Sequence, residues 1–436
     1  MNLRRWLRPG VGVKRWLAVA FLGLTALALA GALALRQLYR EVEVEGPVQA
    51  AIWLVTLQFL PYWVRAAVLL GAGAGLFAYG SYRVIRALLG PFTESATEPL
   101  VDLVYRRRLL ARGPRIVAIG GGTGLSTLLR GLKERSSNVT AVVSVADDGG
   151  STGRLREQLG IPAVGDIRNC LVALAETETA MGELLQYRFG TDDASLAGHA
   201  VGNLLITAMN EIDGGDFEAA VREMNRVLAV RGRVVPASGS PLTLHARLRD
   251  GAEVAGQSRV MRARGIERVW LEPADARASR DAVRAIAEAD LVVLGPGSLY
   301  TSLLATILVA DLRSALAATP ALRVYVANVA TQAGETEGYD LADHVEALAA
   351  HGVAGLVDVV LANSSLAGRG PDDELGVPVK LRWPPMGASR QPRLALDDVV
   401  DPARPHHHDP ALLAAALLGL FGREAGARRG GAARTA

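Results

Sequence analysis

Hydrophobic positions give the chain two textures. In the first 90 residues they run on without interruption: Trp16 to Leu35 carries no charge over 20 positions, and Ala66 to Tyr82 is apolar over 17. At the helical rise per residue the first stretch covers about 30 Å, the depth of a bilayer core, and the second lies near the lower limit for a span. From Arg115 onward apolar residues come instead in short β-branched runs, 116–119, 139–145, 291–294, 324–329 and 357–361. Between and after these runs lie helical patterns at 123–135, 167–176, 217–228, 280–288 and 340–351. That alternation predicts an α/β fold, a doubly wound Rossmann-like parallel sheet with its ligand loops at the carboxyl edge. Between Arg231 and Trp270 the runs shorten and alternate around Asp250 and Gly251, which predicts a hairpin inserted beside the sheet.

Charge orients the front of the chain. Arg4, Arg5, Arg8, Lys14 and Arg15 precede the first apolar stretch, and Arg83, Arg86 and the arginines at 106, 107, 108 and 112 follow the second. Two transmembrane helices with both ends cytoplasmic satisfy the positive-inside rule. Val48 to Val64, ending in Pro61, Tyr62 and Trp63, reads as an interfacial or re-entrant piece on the outer side. A cleavable signal peptide is the competing reading of residues 4–35, set against the second apolar stretch. The expected organisation is a membrane anchor over 1–90, a linker over 91–114, a soluble domain over 115–421 and a disordered basic tail over 422–436. A multi-pass membrane protein with its soluble domain facing the cytoplasm follows.

Composition removes several classes. Cys170 is the only cysteine, so no intrachain disulfide can form. The net charge is +3, and no basic motif interleaved with aromatics predicts nucleic-acid binding. Neither NAD nor haem is expected as a cofactor. His406–Pro410 reads as a solvated stretch before a helix with Asp409 as N-cap and Pro410 in its first turn, rather than as a metal site.

The candidate chemistry lies where strands should end. Gly120, Gly121, Gly122, Thr123 and Gly124 follow one strand and open a helix, the context in which backbone amides meet a diphosphate. Leu125 stands where the dinucleotide fingerprint needs its third glycine, and no Gly-Lys-Ser/Thr follows, so neither that fingerprint nor a Walker A loop is present. Asp147 and Asp148 end the next strand before Gly149, Gly150, Ser151, Thr152 and Gly153. They could bond a ribose, hold Mg²⁺ against phosphate oxygens, or cap the following helix as an Asx turn. Arg154 and Arg156 could contact phosphate or balance Glu157 and Asp166.

Asp166 and Asn169 lie in a further turn into a helix, Gly165–Asn169, with Asp166 an N-cap or a site residue and Cys170 read as packing. In Gly198–Asn203, His199 could be an acid or base or a packed capping residue, and Asn203 is a candidate ligand contact. Gly295, Gly297, Ser298 and Tyr300 follow the strand Leu291–Leu294, with Tyr300 able to stack on a base or sugar. Asn328, Thr331, Gln332 and Thr336 belong to the last loop, which also holds Glu335. Loops of this kind from one parallel sheet converge on one crevice.

In this order, GGGTGLSTLLRGLK, VADDGGSTGRLRE, GDIRNCLVALAE, GHAVGNLL, VRGRVVPAS, GPGSLYTS and NVATQAGETEGY closely resemble the YvcK proteins, also called gluconeogenesis factors, of the CofD-like superfamily. The resemblance covers about Arg115 to Phe421. It implies a binder of UDP-sugars, typically UDP-N-acetylglucosamine, linked to peptidoglycan synthesis and cell shape, with an unidentified protein partner and a homo-oligomer possible. The glycine loop and Asp147/Asp148 are then implied for phosphate and Mg²⁺, and the Tyr300 loop for the UDP-sugar. The enzymatic branch implies the alternative, transfer of a phospholactyl-type group from a nucleoside diphosphate-linked donor to a deazaflavin alcohol with Mg²⁺, for which Asp166 and His199 are the catalytic candidates. No Ser/His/Asp triad motif is legible, so the sequence leans away from an enzyme. A dinucleotide-dependent oxidoreductase is disfavoured by the glycine spacing.

Overall fold

A computed structural model describes residues 59–93, 107–176, 180–190, 196–364, 377–383 and 391–432, with isolated positions between 21 and 57. It divides into two units, Met1–Leu109 and Leu110–Ala436.

The first unit contributes one long helix, α1 (Tyr62–Thr93), with Trp63, Leu70 and Leu76 exposed along it. Its segment Tyr62–Gly80 is long and apolar enough to cross a bilayer and includes most of the second predicted span. Among the described residues it is the one unbroken helix of that kind, so the expected multi-pass arrangement is not supported. The first predicted span, Trp16–Leu35, lies mostly outside the described residues, as do 94–106 of the linker; of the piece read as interfacial at 48–64, the end from 59 is described and Tyr62, Trp63 and Val64 open α1.

In the second unit β1 (Ile116–Gly120) leads into α2 (Gly122–Leu132), and β2 (Val139–Val143) into α3 (Gly150–Leu159) and α4 (Gly165–Leu174). Next come α5 (Val201–Ile212), α6 (Phe217–Val227) and β3 (Arg233–Pro236). β4 (Thr243–Leu248), β5 (Glu253–Ala255) and β6 (Ile266–Glu272) form a separate antiparallel sheet, turned at Asp250 and Gly251 as the sequence predicts, with Gly251 at φ +86°. α7 (Arg280–Glu288) precedes β7 (Leu291–Leu294), followed by β8 (Leu322–Val326), α8 (Leu341–Ala350), β9 (Val359–Asn363) and β10 (Arg393–Asp397). A short ribbon of β11 (Val400–Asp401) and β12 (Arg404–His408) leads to α9 (Pro410–Ala432).

The main sheet runs β10-β9-β8-β7-β1-β2-β3 with every pairing parallel. All residues of β1, β2, β7 and β9 are buried, as strands covered on both faces by helices must be, which explains their Val/Ile/Leu/Ala runs. From β1 the chain builds outward to β2 and β3, and from β7 in the opposite direction to β8, β9 and β10. The switch point therefore lies between β1 and β7, which pair with Ile116 opposite Leu291, and it opens a crevice at their carboxyl ends.

Three expectations need correction. Arg233–Pro236, read with the inserted hairpin, is the edge strand of the main sheet, with Thr140 opposite Arg233; a four-residue run carries too little periodicity to choose between them. His406–His408 is strand rather than a solvated stretch, and His408 is buried. The tail expected to be disordered from 422 continues α9 to Ala432 despite its four glycines, since extending a helix already formed is easier than starting one. The start of α9 is as expected: Asp409 Oδ1 accepts from Ala411 and Leu412 N–H, each at 2.8 Å. α9 packs on α2 where a side chain on Gly131 would fall on the Pro410 carbonyl oxygen.

Candidate functional site

The β1 loop is built from what it lacks. Gly121 is the N-cap of α2 and supplies no side-chain cap, and no acidic residue occupies the first turn. Gly149 opens α3 in the same way. Both helix N-termini sit at the carboxyl edge of the sheet, and their glycine N-caps add no side-chain cap; at α2 the Gly122 amide is met by Asp166. Gly122 adopts φ +67°, a conformation suited to glycine. A Cβ on Gly124 would lie 2.8 Å from the Pro296 carbonyl oxygen and 3.0 Å from Gly297 Cα. The β1 and β7 loops thus touch backbone to backbone across the switch point.

Carboxylates line the β2 side. Asp147 Oδ1 accepts from Gly149 N–H at 2.9 Å, and burial, outweighing that bond and one from Thr152, raises its pKa. Asp148 turns to the inserted sheet, where its Oδ1 accepts from Ser258 N–H at 2.8 Å. Asp166 accepts from Gly122 N–H; burial first, then the Asp147 charge, pushes its carboxyl up to about 7. The Asp147 charge therefore acts on Asp166, while Asp148 adds its charge to Asp147 and ties the β2 loop to the insert. Arg156 braces the same junction, donating to the Ala146 carbonyl at 3.2 Å and to Thr243 Oγ1 at 3.2 Å. Arg154 donates to the Ala197 carbonyl beside His199.

Behind α3 runs a buried polar chain. Arg168 Nη1 donates to Asn203 Oδ1 at 3.0 Å, Asn203 Nδ2 donates to Ser151 Oγ at 3.0 Å, and Ser151 Oγ lies 3.0 Å from His199 Nδ1. Asn169 Oδ1 takes a second bond from Arg168, at 2.9 Å. Cys170 is fully buried and burial raises its pKa, which bears out packing rather than chemistry.

The last two loops lock together. Asn328 Nδ2 donates to the Gly297 carbonyl at 3.0 Å while its Oδ1 faces Gly297 N–H at 3.3 Å. Gln332 Nε2 donates to Ser298 Oγ at 2.9 Å, and its Oε1 is buried with no partner. Thr336 Oγ1 accepts from Gln332 N–H, and Thr331 pairs through its backbone and hydroxyl with Val377. Glu335, only 1% exposed, accepts from Tyr300 N–H at 2.6 Å, Thr301 N–H at 3.0 Å and Thr301 Oγ1 at 2.9 Å. Tyr300 is 2% exposed, and its hydroxyl meets that of Tyr339 at 2.9 Å. Its ring is thus part of the core beneath the loop and does not present a stacking face to the crevice.

The structure gathers the β1, β2 and α4 candidates at one edge and sets the β7 and β8 candidates against them. Arg168 and Glu335 lie within the segments GDIRNCLVALAE and NVATQAGETEGY, but the sequence alone gives neither a role of its own. Arg168 did carry a signal, a charge among Ile167, Cys170 and Leu171 on an otherwise apolar helix; Glu335 had none beyond its place in a polar loop. Elsewhere, a hollow of about 720 Å³ at the amino edge of the sheet is lined by the Arg323–Asp358 and Arg393–Glu424 ion pairs, at 2.7 and 2.6 Å.

Fold and loops together define the class: a doubly wound α/β protein with a glycine-lined crevice at its switch point. Residues 116–372 match the family model described as 2-phospho-L-lactate transferase CofD. The gluconeogenesis factor of Bacillus subtilis is 48% identical over 256 residues, 58% of this chain and 80% of that protein. A Deinococcus radiodurans protein named for the same family is 41% identical over 432 residues, 96% of this chain and 89% of its own. A crystal structure of a UPF0052 family member from Bacillus halodurans superimposes with a TM-score of 0.63 at 40% identity, covering 70% of this chain and 99% of that one. The chain belongs to the gluconeogenesis factor family and carries its CofD domain.

Proposed function

We propose that the protein is a nucleotide-sugar-binding regulator, taking UDP-N-acetylglucosamine or a close relative and coupling its level to cell-wall synthesis and cell shape. The observation that carries this reading is the pair of helix N-termini, α2 and α3, whose N-caps Gly121 and Gly149 offer no side chain in place of an anion. Aligned peptide dipoles and the amides that these glycine N-caps leave without a cap of their own favour a diphosphate. The sugar or uracil would extend toward Ser298, Asn328 and Gln332. The buried, unpartnered Gln332 Oε1 is a polar atom poised to accept from such a ligand.

Mg²⁺ fits the β2 side on the chemistry of its donors. Asp147 and Asp166 are carboxylates that burial destabilises in their charged forms, with Asp148 adding to the effect on Asp147 and Asp147 to that on Asp166, a condition a divalent cation relieves. Those two would hold it. Among the described residues no three His, Cys, Asp or Glu side chains are gathered as a cage, so such an ion would lean on phosphate oxygens and water, as Mg²⁺ commonly does. The apolar segments before residue 90 would tether this domain at the cytoplasmic face of a membrane, with a protein partner reading the state of the loops.

Calorimetric titration of the full-length chain with UDP-N-acetylglucosamine, with and without Mg²⁺ and against GDP and NAD, tests the reading. Saturable binding without product formation is expected. Preference for a guanosine diphosphate, with turnover once a deazaflavin alcohol is supplied, would assign the protein to the transferase branch.

A further inference from the structure

The Arg168–Asn203–Ser151–His199 chain has a direction, set by the one member that can only donate. A guanidinium has no acceptor, so Asn203 must present its carbonyl oxygen to Arg168 Nη1, which leaves its amide nitrogen facing Ser151 Oγ. Ser151 Oγ already accepts there, and its own proton has His199 Nδ1 at 3.0 Å to go to. Nδ1 is then the accepting nitrogen. A neutral imidazole that accepts at Nδ1 carries its proton on Nε2.

We propose that Arg168 and Asn203 are positioning residues which, through Ser151, hold His199 in its neutral Nε2–H tautomer, so that it serves the crevice as a hydrogen-bond donor and not as a base. Burial first and the Arg154 charge second lower the His199 pKa, which keeps the ring neutral. The residue is 4% exposed and its Nε2 makes no hydrogen bond among the described residues, so that N–H is left for a ligand oxygen. The backbone is shaped around the first link as well. A Cβ on Gly202 would lie 2.8 Å from both Cγ and Cδ of Arg168, so that glycine is the slot through which the arginine reaches Asn203.

Because the chain is complete in the free protein, its test needs no ligand. Full-length protein labelled with ¹⁵N-histidine would be compared with Asn203→Asp and Ser151→Ala at neutral pH, with His199→Gln to identify the resonance. In the wild type, Nδ1 of His199 should be unprotonated and Nε2 protonated. In Asn203→Asp the new carboxylate pairs with Arg168 and accepts the Ser151 proton; Ser151 then accepts from His199, and the tautomer reverses. In Ser151→Ala the Nδ1 resonance should move to the position of an imine nitrogen without a hydrogen bond, which decides the matter should Asn203→Asp fail to fold. An Nδ1-protonated or doubly protonated wild-type ring, an unreversed tautomer in a folded Asn203→Asp, or an unmoved Nδ1 signal in Ser151→Ala overturns the proposal.

Discussion

Glu335 offers the sharpest test of how the loops are held. Its carboxylate terminates three donors, the Tyr300 and Thr301 amides and the Thr301 hydroxyl, in a place with 1% exposure. In Glu335→Ala the hydroxyl can rotate to another acceptor, but the two amides cannot move without breaking the turn. Each buried donor left unpaired costs about 1–3 kcal/mol, so the amides alone cost about 2–6 kcal/mol. Burial already disfavours the charged carboxyl and raises its pKa, and removing it returns part of that cost. A net loss of about 2–4 kcal/mol is expected, a large share of the roughly 5–15 kcal/mol that keeps a domain folded. Glu335→Gln keeps an oxygen for both amides and should lose about 1 kcal/mol or less. Denaturant unfolding of the full-length chain, followed by tryptophan fluorescence, measures both. An alanine variant within about 0.5 kcal/mol of wild type, the usual range for innocuous surface changes, would refute the role assigned to this carboxylate.

Other expectations follow from the same contacts. Gly131→Ala drives a Cβ onto the Pro410 carbonyl of α9, where backbone must move, and should cost about 3 kcal/mol or more in unfolding free energy. Gly124→Ala presses on Pro296 and Gly297 and should weaken UDP-sugar binding in calorimetry by roughly tenfold or more, the equivalent of about 1.4 kcal/mol. Asp166 has a folded pKa of about 7 against 3.8 unfolded, so its contribution to stability is full below the lower value and is lost as pH rises through the upper one. Asp166→Asn should therefore flatten the fall in Tm between those pH values.

Much of this fold was legible because a parallel strand covered on both faces writes itself as an unbroken apolar run. Ile116–Ile119, Leu291–Leu294 and the helix at Arg280–Glu288 stand where the pattern put them. β3 escaped because an edge strand of four residues resembles any short run beside a hairpin. The glycine loops were legible as phosphate-binding turns, yet their contact with each other depends on the β1/β7 pairing, which joins residues more than 170 positions apart. Tyr300 shows the limit most plainly. A tyrosine in a glycine and hydroxyl loop invites a stacking role, but only the fold reveals Tyr339 across from it and the core around it. Asp148 likewise shares a motif with Asp147 and yet faces Ser258, a partner supplied by the insert.

Amide hydrogen exchange of the full-length chain with and without UDP-N-acetylglucosamine tests the central claim most directly, because it reports where the ligand rests. Protection concentrated on 120–124, 149–153 and 295–299 is the expected result. Protection confined to the amino edge around Arg323 and Arg393, or none at saturating ligand, would contradict it.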